Sequence, residues 1–145
     1  MRIGEAALEN FEQGFTCSES VLKSVAQAAG IDDPHVYKMA SAFGSGMART
    51  EGGLCGAMVG GMMALSLMQG RAKAGESLET LYRNVDRFKN AFEQEFGSCE
   101  CAKLLGFSLN EYDAGSKFKE HNCKAEKCNH YVHFAANEIG KLLHG

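Results

Sequence analysis

Six cysteines are the residues of this chain best suited to chemistry, and four of them share one position relative to the predicted helices. Each of the four lies where a helix is expected to begin and continues its apolar face: Cys17, Cys55, Cys101 and Cys128. A helix N-terminus stabilises a thiolate through its unpaired N–H groups and a partial positive charge of about half a unit. Burial disfavours the charged form. Such positions suit thiolates compensated by a metal, an oxidised partner sulfur or an electrophile.

Each of these cysteines, taken singly, could equally be a small apolar side chain that fills the core. Four coincidences of helix start and inward face favour one shared sulfur site, provided that the helix starts converge in the fold. The spacings Cys99-x-Cys101 and Cys123-x₄-Cys128 differ from the Cys-x-x-Cys pairs of zinc ribbons and thioredoxin-like proteins. Ligands would therefore come from distant parts of the chain. Cys99 and Cys123 lack the pattern and are predicted to be peripheral.

Other side chains give weaker signals for a site. His130 and His133 lie three residues apart near Cys128 and could reach the same place, but exposed helix histidines are common. The glycine-rich segment 44–49 lacks the last glycine of a dinucleotide fingerprint and the Gly-Lys-Ser/Thr of a P-loop, so phosphate binding has little support. Arg49 in that segment could add positive charge beside the thiolates.

Helices are the elements predicted to position the cysteines, because apolar residues recur at steps of three and four without a comparable alternation of period two. The predicted helices cover about residues 3–13, 16–29, 34–43, 54–73, 76–96, 99–105 and 126–143. Thr16 and Glu19 have the spacing of a capping box, and residues 107–122 are expected to be irregular. The prediction is an all-α, single-domain bundle of six to seven helices around a buried, Gly- and Met-rich central helix.

Composition narrows the class of protein. A chain of 145 residues with one proline and no long linker predicts a single domain over residues 1–145. A net charge of −3 without a basic run argues against a nucleic-acid partner. Three glutamates interrupt the first 25 residues, so no signal peptide is expected and the predicted location is cytoplasmic. The uncharged segment 54–70 falls short of the about 20 residues of a membrane span.

The same four cysteines carry a resemblance to a known family over nearly the whole chain. The matching pieces are Cys17 ahead of a helix, Phe43-Gly44-Ser45-Gly46-Met47-Ala48, Cys55-Gly56-Ala57-Met58-Val59-Gly60, Cys101 before Leu104-Leu105-Gly106, and Cys128 before Val132 and Ala135-Ala136. Together they resemble the C_GCAxxG_C_C family of redox-active proteins. The resemblance implies a redox role for these four cysteines, names no substrate, and marks Cys99 and Cys123 as additions to the pattern.

Three functions remain open at this point. The leading prediction is electron transfer or redox sensing through an iron–sulfur cluster or another metal bound by Cys17, Cys55, Cys101 and Cys128, since four soft thiolates suit [2Fe–2S] or [4Fe–4S] ligation. The second is metal-free thiol–disulfide exchange by the same four redox thiols. The third is a structural zinc site in an interaction module. The expected partner is a redox protein, and the glycine-faced central helix predicts a homodimer.

Overall fold

Nine helices numbered α1 to α9 make up most of the chain in the computed structural model, which describes residues 2–50 and 53–144. They are α1 (Ile3–Glu12), α2 (Cys17–Ala28), α3 (Pro34–Tyr37), α4 (Gly44–Arg49), α5 (Gly56–Gln69), α6 (Glu79–Phe96), α7 (Cys101–Leu105), α8 (Ala114–Glu120) and α9 (Asn129–His144). A 3₁₀ helix, Lys38–Phe43, follows α3, and a π-helical turn, Lys124–Cys128, precedes α9. Within the described ranges there is no β-strand, which confirms the predicted all-α fold.

Helix α5 lies at the centre of the bundle and packs against α2, α6 and α9. Its glycines allow this close packing: a Cβ at Gly60 would lie 2.9 Å from the Cα of Ser18 in α2, and Gly61 faces the buried ring of Phe88. The Gly- and Met-rich central helix is thus confirmed, although it has 14 residues instead of the span 54–73. No helix in residues 2–50 and 53–144 has both the length and the apolar content needed to cross a bilayer.

The start of α2 is fixed by the predicted capping box. The Thr16 hydroxyl accepts a hydrogen bond from the Glu19 N–H at 3.3 Å, and the Glu19 carboxylate accepts one from the Thr16 N–H at 2.8 Å. Ser41, from the 3₁₀ helix, donates a further hydrogen bond to the same carboxylate at 2.5 Å. These bonds make Cys17 the first residue of α2 and join its N-terminus to the segment that follows α3.

Element α4 has a left-handed backbone, which the sequence did not indicate. Ser45, Gly46, Met47 and Ala48 have φ between 54° and 64° and ψ between 38° and 58°. A left-handed conformation costs about 1–2 kcal/mol for each residue with a side chain, so the surrounding packing must hold it. The contacts of α4 are close: a Cβ at Gly46 would lie 3.2 Å from the Cβ of Cys101. The strained turn therefore lies against a predicted site residue.

Two further predictions about the elements need correction. The segment 107–122 was expected to be irregular, but it contains α8. This helix consists largely of polar and charged residues, and its Phe118 is half-buried. The single helix predicted over residues 34–43 is instead two elements. The α-helix α3 ends at Tyr37, and the backbone continues as a 3₁₀ helix, which has fewer residues per turn.

Candidate functional site

The four predicted cysteines lie around one cavity of about 250 Å³. Cys17 opens α2, Cys55 directly precedes α5, Cys101 opens α7, and Cys128 directly precedes α9. All six cysteines of the chain are free thiols. Four chain segments far apart in sequence therefore bring their sulfurs to one cavity.

Apolar side chains form most of the remaining cavity wall: Phe11, Phe15, Leu104, Leu105, Leu109 and Phe118. Lys124 also lines the cavity; its Nζ donates a hydrogen bond to the Phe11 carbonyl at 3.3 Å and lies 4.8 Å from the centre of the Phe11 ring. The Tyr131 hydroxyl donates a hydrogen bond to the Leu104 carbonyl at 3.4 Å. No carboxylate is among the described lining residues, so sulfur is the dominant donor.

Backbone N–H groups surround the Cys17 sulfur. Burial raises the pKa of the Cys17 thiol, and hydrogen bonds from the N–H groups of Ser45, Ser18, Cys17 and Gly56 oppose that effect. Gly56 is in such close contact that an added Cβ would collide with the Cys17 sulfur. The start of α2, the left-handed α4 and the start of α5 therefore combine to stabilise negative charge on one sulfur.

Cys55 is buried at the start of α5. Burial raises its pKa well above the usual value, and negative charge on Cys17 or Cys101 would raise it further. The N–H groups of Ala57 and Met58 act in the opposite direction, as expected at a helix N-terminus. The Cys55 thiol is thus neutral in the metal-free chain at neutral pH.

A short bridge between distant segments positions Cys55 beside Cys101. The Cys55 N–H donates to the Cys99 carbonyl at 2.6 Å, and the Cys101 N–H donates to the Gly53 carbonyl at 3.1 Å. Leu54 and Glu100 form the antiparallel pair between these bonds. Cys99 consequently lies outside the cavity lining, but its backbone holds the approach to α5 in place.

Cys101 and Cys128 complete the set without N–H donors directed at their sulfurs. Burial, together with negative charge on Cys17 and Cys123, raises the pKa of Cys101 to about 11. Burial also raises the pKa of Cys128 strongly. Cys128 directly precedes α9, but the π-helical turn runs into that helix and the Asn129 N–H already donates to Lys124. The expected free helix N-terminus is therefore wrong for Cys128, because the helical backbone begins before it.

Among the described residues, no three His, Cys, Asp or Glu side chains converge closely enough to hold a single ion. A tetrahedral zinc with bonds of about 2.3 Å would need thiolates only about 4 Å apart. The four cysteines line a cavity instead.

The weaker candidates lie elsewhere. His130 and His133 line a separate surface cleft with Phe134 and Asn137. Arg49 is exposed and is not among the residues that line the cavity. These three side chains are therefore not positioned to act on the cysteines.

Sequence reasoning missed two features at or beside the site. Cys123, expected to be peripheral, does not line the cavity but is fully buried in a small cluster against which Cys101 and Cys128 pack. Ser45, in the left-handed α4, contributes a backbone N–H that lowers the pKa of Cys17. The glycines around Cys55 were the one local signal that backbones approach closely there.

The chain is thus an all-α bundle in which four free thiols line one largely apolar cavity. The family model described as "Putative redox-active protein (C_GCAxxG_C_C)" matches residues 15–142, and the chain belongs to this family. The matched range contains Cys17, Cys55, Cys101 and Cys128. A search of curated proteins and a search of solved structures each gave no match.

Proposed function

We propose that Cys17, Cys55, Cys101 and Cys128 form one redox site that holds an iron–sulfur cluster, or another metal group bound by thiolates, for electron transfer or redox sensing. The observation that carries the proposal is that four cysteines from four distant segments line one cavity. The description of the family as redox-active agrees with it. The proposed setting is the cytoplasm, where free thiols persist, and the proposed electron partner is another redox protein.

Electrostatics supports a cationic occupant of the cavity. Burial raises the pKa of all four thiols, and ionising one of them raises the pKa of its neighbours. A metal group compensates buried thiolates and displaces their protons. A bound cluster would supply one-electron chemistry, while the apolar wall limits water and the N–H groups near Cys17 and Cys55 stabilise sulfur charge. Hydrogen bonds of this kind tune the reduction potential of thiolate-bound clusters.

The test is anaerobic purification and reconstitution with iron and sulfide, followed by iron and sulfide analysis and a visible spectrum. We expect bound iron and a sulfur-to-iron charge-transfer band in the wild-type chain. Cys17→Ser, Cys55→Ser, Cys101→Ser and Cys128→Ser should each reduce iron content and absorbance. Cys99→Ser is the matched control, because Cys99 is as buried as Cys55 but lies outside the cavity lining.

Two results would contradict this proposal. A wild-type chain that stays colourless and binds zinc at one ion per chain would instead favour a structural zinc site. Unchanged iron in the four cavity variants together with its loss in Cys99→Ser would show that the wrong cysteines have been assigned.

Metal-free thiol–disulfide exchange is the second candidate. Burial raises the pKa of Cys17 overall, but the N–H groups of Ser45, Ser18, Cys17 and Gly56 offset part of that rise and so favour this thiol as the attacking one. In this case the Cys17 thiolate attacks a substrate disulfide and a second cavity cysteine resolves the mixed disulfide. Two protein thiols lose two electrons and two protons, and the substrate disulfide becomes two thiols. The expected signature is reversible loss of two thiols in a chain without metal, abolished by Cys17→Ser and retained by Cys99→Ser.

A further inference from the structure

A fifth sulfur lies behind the cavity wall. Cys123 has 0% of its surface exposed and belongs to a small core cluster with Leu105, Phe107 and Ala114. Cys101 and Cys128 both pack against this cluster from the side of the cavity. Cys123 is therefore a third thiol next to Cys101 and Cys128, which are two of the four cysteines of the proposed site.

The π-helical turn places Cys123 and Cys128 on the same side of the backbone. In a regular α-helix, residues five apart are separated by about 140° around the axis, since each turn contains about 3.6 residues. A π-helical turn pairs residue i with residue i+5, so residues five apart lie closer to the same side of the backbone than they do in an α-helix. The turn Lys124–Cys128 follows directly after Cys123, and Asn122 before it has a left-handed φ of 50°. The local backbone is thus bent in a way that brings these two cysteines together.

The two cysteines differ in access to solvent. Cys128 is partly exposed and lines the open cavity, whereas Cys123 is fully enclosed. A small reagent that enters the cavity can therefore reach the Cys128 sulfur directly but not the Cys123 sulfur. The Cys123 sulfur is then the enclosed partner behind it.

We propose that Cys123 is the resolving thiol of Cys128, and that the metal-free chain forms a Cys123–Cys128 disulfide when a small organic disulfide enters the cavity. The Cys128 sulfur bonds to one sulfur of the reagent and releases the other as a thiol. The Cys123 sulfur then attacks the Cys128 sulfur and releases the second reagent thiol. The protein thiols lose two electrons and two protons, and the reagent gains both.

This disulfide and metal binding by Cys128 exclude each other, because a sulfur in a disulfide is no longer a thiolate ligand. The pair would therefore control whether the fourth cavity cysteine is available. The inference concerns the metal-free chain and stands whether or not the proposed cluster forms.

Tryptic mapping of the wild-type chain tests the pairing directly. The folded, reduced, metal-free protein is treated with bis(2-hydroxyethyl) disulfide, remaining thiols are blocked with N-ethylmaleimide, and trypsin is added. Lys124 and Lys127 lie between the two cysteines, so cleavage separates residues 120–124 from residues 128–141. We expect these two peptides to remain linked until a reductant is added. Cys99→Ala is the matched control and should give the same linked pair.

Other linkages would overturn the proposal. A link between residues 120–124 and residues 90–103, which contain Cys99 and Cys101, would show that Cys123 pairs elsewhere. Maleimide on Cys123 in every product would show that it does not resolve Cys128. In Cys123→Ala, we expect residues 128–141 to retain the reagent as a mixed disulfide, with a thermal melt to confirm folding. The mapping uses no iron, so its failure is distinct from failure of the reconstitution.

Discussion

Three backbone segments contribute N–H groups that stabilise negative charge on the Cys17 sulfur. Its own helix directs the N–H groups of Cys17 and Ser18 toward it, α4 adds Ser45, and α5 adds Gly56. Only a glycine leaves room for the sulfur at the start of α5. Cys17 is thus the cavity thiol whose charge the fold stabilises most directly.

Gly56→Ala tests this contact at the scale of one methyl group. The added Cβ would collide with the Cys17 sulfur and lie 3.1 Å from the Gly44 Cα, so we expect a loss of about 1–3 kcal/mol in the free energy of unfolding. Urea unfolding of Gly56→Ala, Cys17→Ala and the double variant measures the coupling. The double variant should recover about 1 kcal/mol relative to additivity, because the sulfur is gone.

Gly75→Ala is the control for that series, since a Cβ at position 75 meets nothing within 4 Å. Its free energy of unfolding should stay within about 0.5 kcal/mol of the wild-type value. Full additivity of Gly56→Ala and Cys17→Ala would mean that the two residues do not constrain each other.

Helix α2 illustrates how an element positions a functional residue. Burial acts to raise the pKa of Glu19, but hydrogen bonds from the Ser41 hydroxyl and the Thr16 N–H together lower it below its usual value. The carboxylate therefore stabilises the folded chain when it is ionised. Because its folded pKa is lowered, this stabilisation is complete above the unfolded pKa of about 4.3 and is lost as the pH falls through the folded pKa.

Glu19→Ala should show that dependence on pH. At pH 7 we expect a loss of about 1 kcal/mol in the free energy of unfolding, typical of a lost cap. At pH 3 the difference from wild type should narrow, because the wild-type carboxylate is increasingly protonated. Urea unfolding at both pH values measures this, and Glu12→Ala, at an exposed position in α1, is the matched control. A difference that does not change with pH would contradict the role of the charge.

Elements whose signals are local could be predicted from the sequence. The capping box located the start of α2, and the apolar repeat located α6 and its end at Gly97, whose φ is 85°. Helix α8 escaped prediction because its seven residues carry little apolar periodicity. The left-handed α4 escaped because Met47 and Ala48 do not favour such a backbone, so only tertiary contacts select it.

The same distinction applies to the site: residues next to local sequence signals could be predicted, and those positioned by distant contacts could not. The types and helix-start positions of Cys17, Cys55 and Cys101 were readable, since capping and glycine signals lie next to them. The bridge between Leu54 and Glu100 was not, because pairing of residues so far apart depends on the assembled bundle. Cys123 was predicted to be peripheral because it lies in a polar segment before the last predicted helix. The structure leaves it out of the cavity lining but buries it fully in a small cluster beside the cavity, which no local signal indicated.

At the scale of the whole molecule, the cavity is the place where four segments far apart in the sequence meet. The cysteines come from the starts of α2, α5 and α7 and from the turn before α9. A group bound by all four would link these segments in the folded state, and the unfolded chain offers no such arrangement. By linkage, binding to the folded state alone raises its stability.

Thermal unfolding of the anaerobic protein before and after reconstitution with iron and sulfide measures this effect. Occupancy at about 100 times the dissociation constant adds about 2.7 kcal/mol, which corresponds to a rise of about 8 °C in Tm for a chain of this size. Cys99→Ser should rise by a similar amount, whereas Cys55→Ser should rise little, because one of the four segments is no longer held. If iron binds stoichiometrically while Tm stays unchanged in the wild-type chain, the metal is held by the surface and not by the four cavity cysteines.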